Sequence, residues 1–468
     1  MQSELITTST AGSPLGNSPG RKLLRVADGS YANRLVLLYQ DTPGSISLRY
    51  ADAPYTTWSA AQSVATDTAD SAFDCMLDLN GDVLLAYTAA TTFDMQFKRL
   101  AFSSGAWTAG AVVTVYNVDD CYFPSIIAEP TGRIWITYTR VSSGSSYINA
   151  IKSDDAGATW GIGAGEELAG PDSSAYSQIV IAGGQLYVFY TLGGTKLAQR
   201  NKLFVVATFS SEVSLASGSG FDEHFHAAVA ADNRLGVAFD DGAMRYREFD
   251  GSQWATVQTL DSSGGEYPRV VFTDNNPSVV YLQNFGANQV RLLQVARQGG
   301  AFQAATDVLR QWKQFEAVAL FSQNAGTYAD LTTEAGSSAT GDVFHPTSNA
   351  TLAAVGDAIY CGHSVQFNYL KAILATAGVG GSVDWQYFDG AGWVTFTPSN
   401  GTWDLETTSR EMLLWNDSAA MPADWQMTAI NGVTLFYVRA IVSAGFTTNP
   451  VASQLTAIAN LSQFISEG

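Results

Sequence analysis

Aromatic and acidic residues recur together in the first 281 residues of the chain, a few positions before runs of apolar residues. Such residues suit sugar recognition, because aromatic rings stack on sugar faces while carboxylates accept hydrogen bonds from hydroxyl groups. A neutral sugar or an amino sugar would fit them. The alternative is that the rings only fill the centre of the fold. The candidate ligand-binding residues are Asp119, Asp120, Tyr122, Tyr176, Glu223, His224, Glu266 and Tyr267.

One short segment could instead bind a metal ion. Asp222, His224 and His226 are spaced two residues apart, so in a strand they would lie on one face. Imidazole and carboxylate groups suit zinc and similar ions. No third clustered histidine and no cysteine pair accompanies them, so we expect the ordinary beginning of a strand. The sequence predicts no metal and no other cofactor.

The apolar runs that follow these residues form a repeat. Six of them end in an aromatic residue, at intervals of 48, 51, 52, 49 and 42 residues. This period is typical of four-stranded propeller blades, and turn residues such as Asn80-Gly81 precede the runs. The sequence therefore predicts a six-bladed β-propeller over residues 21–308. The aromatic residues are Tyr39, Tyr87, Tyr138, Tyr190, Phe239 and Tyr281.

Most repeats also close on a bulky residue, while the repeat near Val213 lacks its tryptophan. One closing segment, residues 153–160 (Ser-Asp-Asp-Ala-Gly-Ala-Thr-Trp), resembles the Asp-box of sialidase-like propellers. In that family the box shapes a hairpin and carries no chemistry, so the resemblance implies a fold. The closing residues are Trp58, Trp107, Trp160, Trp254 and Phe302.

The catalytic features of sialidases are missing from the sequence. That family uses three converging arginines, an early Arg-Ile-Pro stretch and a Tyr–Glu nucleophile pair, whereas this chain has no Arg-Ile-Pro and only an echo in Tyr267-Pro268-Arg269. We therefore expect a protein that is not an enzyme. A glycosidase of another kind stays open, because it needs only two carboxylates about 5 to 10 Å apart.

The character of the chain changes after about residue 305. Five of the 11 tryptophans fall between Trp385 and Trp425, among strand-like segments separated by turns such as Asp389-Gly390 and Asn431-Gly432. This pattern predicts an antiparallel β-sandwich over residues 325–455. The complete expected fold is all-β, a six-bladed β-propeller followed by an antiparallel β-sandwich.

The order of segments in this second region resembles a β-sandwich domain of tail, baseplate and appendage proteins of tailed bacteriophages. The resemblance implies a virion setting, with folding in the host cytoplasm and release by lysis. The matching segments are Tyr328-Ala-Asp-Leu-Thr332, Val355-Gly-Asp-Ala-Ile-Tyr360, the stretch from Trp385 to Trp393, Pro422-Ala-Asp-Trp425 and Phe436-Tyr-Val-Arg-Ala440.

Composition limits the partners of the chain. Its 43 acidic residues against 24 basic ones give a net charge of −19, which repels nucleic acid and anionic membranes. The sequence shows neither a signal peptide nor an apolar run of membrane-spanning length. Three scattered cysteines predict buried thiols without disulfides.

Together these features predict a non-enzymatic bacteriophage virion protein of the tail, baseplate or a head appendage, contributing to host glycan binding. The alternatives are a glycan hydrolase or depolymerase of the virion and a purely architectural subunit. Expected partners are other virion proteins, in several copies on a symmetric assembly, and a host surface glycan. The remaining boundaries are an extended arm at residues 1–20, a linker at 309–324 and a tail at 456–468.

Overall fold

The protein is described by a computed structural model. It covers residues 9–11, 15, 20–27, 29–55, 57–284, 290–307, 313–337, 341–345, 350–415 and 421–459. The chain divides into two compact units between Val308 and Leu309. All strand pairs in both units are antiparallel, and the predicted all-β fold is confirmed. Within the residues covered, no helix is long and apolar enough to cross a membrane.

The first unit is a β-propeller of six blades, each a sheet in which successive strands pair. Blade 1 contains β1 (Leu23–Arg25), β2 (Leu35–Thr42), β3 (Gly44–Ala51) and the start of β4 (Gln62–Leu77), with a 3-10 turn at Gly29–Tyr31. Blade 2 contains the end of β4 with β5 (Val83–Ala89), β6 (Met95–Ser103), β7 (Ala106–Ala109) and β8 (Val113–Tyr116). The long β4 joins the two blades, because its pairing changes from β3 to β5 between Thr68 and Phe73.

The other four blades follow the same order from the innermost strand outward. Blade 3 contains β9 (Asp120–Ala128), β10 (Ile134–Ser142), β11 (Ser145–Ser153) and β12 (Glu166–Asp172). Blade 4 contains β13 (Ala175–Ala182), β14 (Gln185–Leu192), β15 (Lys196–Leu203) and β16 (Val213–Ser217). Blade 5 contains β17 (Phe225–Val229), β18 (Leu235–Asp240), β19 (Met244–Phe249) and β20 (Gln258–Asp261). Blade 6 contains β21 (Glu266–Thr273), β22 (Asn276–Asn284), β23 (Val290–Gln298), β24 (Ala301–Phe302) and β25 (Thr306–Asp307).

A ring of polar side chains joins the innermost part of each blade to the next blade. We call these six residues the latch ring. They occupy the same register position in every blade: each lies on the innermost strand, or just before it in the case of Lys22, and pairs with the residue just before the repeated aromatic residue of the second strand, as Asp74 pairs with Ala86 just before Tyr87. Each one hydrogen-bonds the backbone of the following blade, and Arg269 closes the ring on Gly20. The bonds are Lys22 Nζ to Phe73 O, Ile126 N to Asp74 Oδ2 (2.8 Å), Ile179 N to Ser125 Oγ (3.2 Å), Ala227 N to Gln178 Oε1 (2.6 Å), Val270 N to His226 Nδ1 (3.1 Å) and Arg269 Nη2 to Gly20 O (3.0 Å).

The bulky residue that closes a blade contacts the preceding blade. Phe209 takes this role in blade 4, the blade whose tryptophan is missing from the sequence pattern. Such contacts bury aromatic area between neighbouring sheets, which stabilises the disc. The ring-centroid distances are 5.7 Å for Trp107–Tyr50, 5.3 Å for Trp160–Phe97, 5.9 Å for Phe209–Trp135, 5.9 Å for Trp254–Phe189 and 5.0 Å for Phe302–Tyr246.

The Asp-box-like segment forms a tight hairpin, as the resemblance implies. The carboxylate of Asp155 accepts hydrogen bonds from the backbone and hydroxyl of Thr159, at 2.8 and 2.5 Å, and from Ser153 at 2.7 Å. The bonds from Thr159, followed by that from Ser153, lower the pKa of Asp155 to about 2. Its hydrogen-bonding capacity is therefore used within the hairpin.

The second unit is a sandwich of two sheets, with a short helix α1 (Thr332–Gly336). One sheet has the order β26 (Lys313–Gln314), β36 (Val451–Ala459), β30 (Phe367–Thr376) and β33 (Ser409–Leu413). The other has the order β28 (Thr327–Asp330), β27 (Ala317–Ser322), β29 (Ala358–His363), β35 (Val433–Ala444), β31 (Ser382–Phe388) and β32 (Trp393–Thr395), with β34 (Met427–Ile430) also on β35.

The core of the sandwich lies between these sheets and contains Trp385, Trp403, Trp415 and Trp425, whereas Trp393 lies outside it. The predicted linker at 309–324 is wrong for residues 313–314 and 317–322, which form β26 and β27, because Val318 and Leu320 belong to the core. The predicted tail likewise includes residues 456–459 of β36, and the rest of it lies outside the described residues.

Candidate functional site

Four aromatic side chains stand two residues before the latch ring, at the side of the propeller where the innermost strands begin. They are Phe123, Tyr176, His224 and Tyr267 in blades 3 to 6. The rings of Phe123 and His224 each contact the aromatic ring of the following blade. We call this side the entrance face.

Contacts join these rings into a continuous row. The Phe123 and Tyr176 centroids are 4.7 Å apart, and those of His224 and Tyr267 are 4.6 Å apart. A hydrogen bond between Tyr176 and Glu223 links the two pairs. These five half-buried residues form what we call the entrance belt. Their partial exposure leaves them accessible, unlike rings that only fill the centre of the fold.

Two belt residues have a strained backbone. Phe123 has φ +51° and Tyr267 has φ +49°, and each precedes a proline, Pro124 or Pro268. Bulky residues rarely adopt positive φ, and residues before proline favour extended conformations. The register of the innermost strand shifts at both places. Strain of this kind concentrates at functional sites, and here it sets the direction of two rings.

Glu223 supplies the carboxyl group of the belt, and the pKa of this group is raised. Burial raises its pKa above the ordinary value, the charge of Asp222 adds to the rise, and His224 and the Tyr176 hydrogen bond oppose it. Burial, with Glu223 beside it, raises the pKa of Tyr176 to about 12. Burial also raises the pKa of Asp240, which faces the same charges. Glu223 thus keeps its proton to a higher pH than an exposed glutamate.

Asp222 holds both the backbone and the side chain of His224. Its backbone N–H donates to Asp222 Oδ1 at 2.8 Å, and its Nδ1 lies 3.3 Å from the same oxygen. His226 instead serves the latch ring, and burial, followed by the charges of Arg269 and Arg21, holds its pKa well below the ordinary value. Throughout the described chain, no three His, Cys, Asp or Glu side chains gather as metal ligands.

The predicted site residues separate into three groups. Tyr176, Glu223, His224 and Tyr267 lie in the belt, and Tyr122 adjoins it, 5.9 Å from Phe123 and 5.5 Å from Phe93. Asp120 is exposed and hydrogen-bonds Tyr122, while Glu266 is half-buried at the same register position in blade 6 as Tyr122 in blade 3.

Asp119 has structural contacts with residues of blades 2 and 3. Its carboxylate accepts hydrogen bonds from Tyr116 at 2.7 Å, Ser142 at 2.9 Å and Arg140 at 3.0 Å. We therefore leave it out of the belt. Phe123 is not among the candidate ligand-binding residues predicted from the sequence, although Tyr122-Phe123-Pro124, like Tyr267-Pro268-Arg269, is an echo of the sialidase stretch.

No protein-family model and no curated protein sequence matches this chain. Among solved structures it is similar to a polysaccharide lyase of family PL25, an ulvan lyase, with TM-score 0.49, 11% identity, and coverage of 77% of this chain and 93% of the other. It is similar to Trypanosoma rangeli sialidase with TM-score 0.39, 11% identity, and coverage of 100% and 96%. It is also similar to AofleA from Arthrobotrys oligospora with TM-score 0.43, 14% identity, and coverage of 64% and 94%.

These similarities concern the fold alone. The expectation that the protein is not an enzyme is contradicted, because the similar structures include a polysaccharide lyase and a sialidase. The expectation depended on the missing Arg-Ile-Pro stretch, which gives no information about the half-buried Tyr176 and Glu223 of the belt. The three structures give no support to the virion role, which stays a prediction.

Proposed function

We propose that the propeller binds a glycan at the entrance belt and cleaves it, with Glu223 as the proton donor. The observation that carries this proposal is the position of Glu223 beside Tyr176, where burial raises the pKa of the carboxyl group inside a half-exposed row of aromatic rings. A glycan fits this surface because its rings stack on aromatic faces. The catalytic group and the binding surface would then coincide.

The chemistry follows from the protonation of Glu223. Breaking a glycosidic bond leaves an alkoxide-like oxygen, and a protonated carboxyl that donates to this oxygen lowers the barrier. In hydrolysis, a second carboxylate activates water or attacks the sugar carbon. Asp222 is the neighbouring candidate, with a side chain 47% exposed. Tyr176 would hold Glu223 in place through their hydrogen bond.

Glu223→Gln tests this assignment. The wild-type protein is incubated with a panel of polysaccharides, and cleavage is followed by release of reducing ends, with absorbance of unsaturated products to detect elimination. We expect Glu223→Gln to lower the cleavage rate at least about a hundredfold, because an amide N–H is too weakly acidic to protonate the leaving oxygen. Glu167→Gln is the matched control, since Glu167 lies on the outer strand β12, where it pairs with Arg140 of β10. Binding without any cleavage by the wild type would refute the catalytic proposal.

The pH profile provides a separate check. Because the pKa of Glu223 is raised, the proton-donating form persists above the range of an ordinary glutamate, about 4.3. Activity should therefore decline only as pH rises through the raised pKa. A decline centred on the ordinary value would assign the proton donor to an exposed carboxyl group instead.

The biological setting is a further proposal. We propose that the protein belongs to a bacteriophage virion and meets a host surface glycan there, on the basis of the resemblance of residues 325–455. Cryo-electron microscopy of whole virions would find density for the chain on the tail, baseplate or head. Absence of the protein from purified virions would reject this setting and leave the enzymatic proposal intact.

A further inference from the structure

The outer face of the larger sheet of the sandwich carries a second group of aromatic residues. Alternate residues of each strand face away from the core, so Arg439 on β35 lies outside while Val438 and Ala440 lie inside. Arg439 is opposite Tyr360 on β29 and Gln386 on β31. This position is at the middle of the sheet.

Arg439 is held firmly in this position. Its Nε and Nη2 donate to Gln386 Oε1 at 2.8 and 2.6 Å, and its Nη1 donates to the Tyr360 hydroxyl at 2.8 Å. The guanidinium carbon lies 4.3 Å from the ring centroid of Trp393. Such a cation–π contact restrains the plane of the guanidinium group. Of its five N–H groups, one on each terminal nitrogen is left for another acceptor.

The charge of Arg439 has no acidic partner within 4.0 Å among the residues that the structure describes, although acidic residues far outnumber basic ones in the chain. The closest acidic position on β31, Asp384, pairs in register with Ile441 rather than with Arg439. A partly buried cation without a counter-ion is costly. An anion from outside the chain would supply the missing partner.

Aromatic side chains extend from Arg439 in both directions across the sheet. Tyr328 lies 5.8 Å from Tyr360, and Trp393 lies 5.4 Å from Tyr360 and 5.7 Å from Phe388. Tyr328 is 39% exposed, and Trp393 and Phe388 are half-buried. Rings that flank a preoriented guanidinium suit a sugar residue that bears an anionic group.

We propose that this face of the sandwich is a second glycan-binding site, specific for a sugar that carries a carboxylate or sulfate group. The anionic group accepts both remaining N–H groups of Arg439, and the sugar ring lies against Tyr328 and Trp393. Arginine favours such planar oxyanions, because its donors form a fixed fork. No residue of the entrance belt contributes to this second site.

The test uses full-length protein in native gels that contain polygalacturonate, a sulfated galactan or uncharged dextran. We expect one or both anionic polymers to retard the protein and dextran not to. Arg439→Gln should weaken this binding at least about tenfold, as expected for lost hydrogen bonds to a charged group. Arg439→Lys should also weaken it, because lysine keeps the charge but lacks the fork. The uronate and sulfate gels identify which anion is bound.

Two further variants separate this site from the propeller. A Tyr176→Ala/Tyr267→Ala double variant disrupts the entrance belt and should still be retarded. Tyr328→Ala should weaken retardation, and it replaces Arg439→Gln as the test if that variant is unstable. Retardation that survives in both Arg439→Gln and Tyr328→Ala but disappears in the belt variant would overturn the proposal. Absence of retardation of the wild type by both anionic polymers would do so as well. Neither result decides whether Glu223 is catalytic.

Discussion

Replacing Asp74 with alanine is expected to destabilise the propeller by about 3 to 5 kcal/mol, because it removes a fully buried carboxylate that pairs with the partly exposed Arg21 and accepts a hydrogen bond from the next blade. Asp74 is fully buried, and its carboxylate accepts hydrogen bonds from Arg21 Nη2 and Ile126 N, both at 2.8 Å. Ile126 lies on β9, the innermost strand of blade 3. The substitution therefore breaks a latch between blades and leaves Arg21 without this carboxylate partner.

Other cations increase this effect. Burial lowers the pKa of Lys22 to about 8 and that of Arg269 to about 10, and the charge of Asp74 opposes both decreases. Without Asp74, the three basic side chains Arg21, Lys22 and Arg269 lose the carboxylate that offsets their charge. Urea denaturation of the full-length protein measures the change. Asp154→Ala is the control, because Asp154 is 57% exposed and its ion pairs should contribute less than about 1 kcal/mol. Equal midpoints for both variants would contradict the role of the latch ring.

Replacing Trp107 with alanine is expected to cost about 3 to 5 kcal/mol, the range for large aromatic side chains removed from a core. Trp107 is 2% exposed, its ring centroid lies 4.6 Å from that of Phe102, and its Nε1 donates to Gly81 O at 2.9 Å. The substitution leaves a cavity between blades 1 and 2. It also removes the hydrogen bond that holds the preceding turn.

Trp160 provides the comparison, because it occupies the corresponding place in blade 3. It is half-buried, and within the described chain its Nε1 has no hydrogen-bond partner. Trp160→Ala should therefore cost less than Trp107→Ala, by about 1 kcal/mol or more. The two variants are compared by urea denaturation under the same conditions. A larger loss for Trp160→Ala would show that the Asp-box residue, rather than Trp107, is the stronger contact between blades.

Local pattern was enough to predict the propeller. The repeating aromatic residues Tyr87, Tyr138 and Tyr190 are fully or nearly fully buried in the second strands of their blades. Strand periodicity and turn residues are properties of short segments, so they can be identified without knowledge of distant neighbours. The same local logic placed Tyr176 and Glu223 at the beginning of an innermost strand. It could not distinguish them from Asp119, which has a similar sequence environment.

Only the tertiary structure separated these residues, because the partners that decide their chemistry are distant in sequence. Glu223 has its raised pKa and its bond to Tyr176 because blades 4 and 5 adjoin, and Asp119 meets Arg140 across two strands of one blade. Arg439 lies in a segment that resembles a phage domain but carries no predicted role, and the residues around it, Trp393, Tyr360 and Gln386, come from three other strands.

The latch ring shows most clearly which features the sequence determines and which the tertiary structure decides. Its members are lysine, aspartate, serine, glutamine, histidine and arginine, so no residue type repeats. What they share is a register position and a polar group that reaches the backbone of the next blade, which is about 50 residues away for Asp74, Ser125 and Gln178 and 249 residues away for Arg269. Apolar periodicity in the sequence determined that six blades form, since burial of those runs drives the fold. Which polar side chains join the blades and which remain available for a ligand was decided by the contacts between blades, since burial and hydrogen bonding depend on neighbours that only the folded chain brings together.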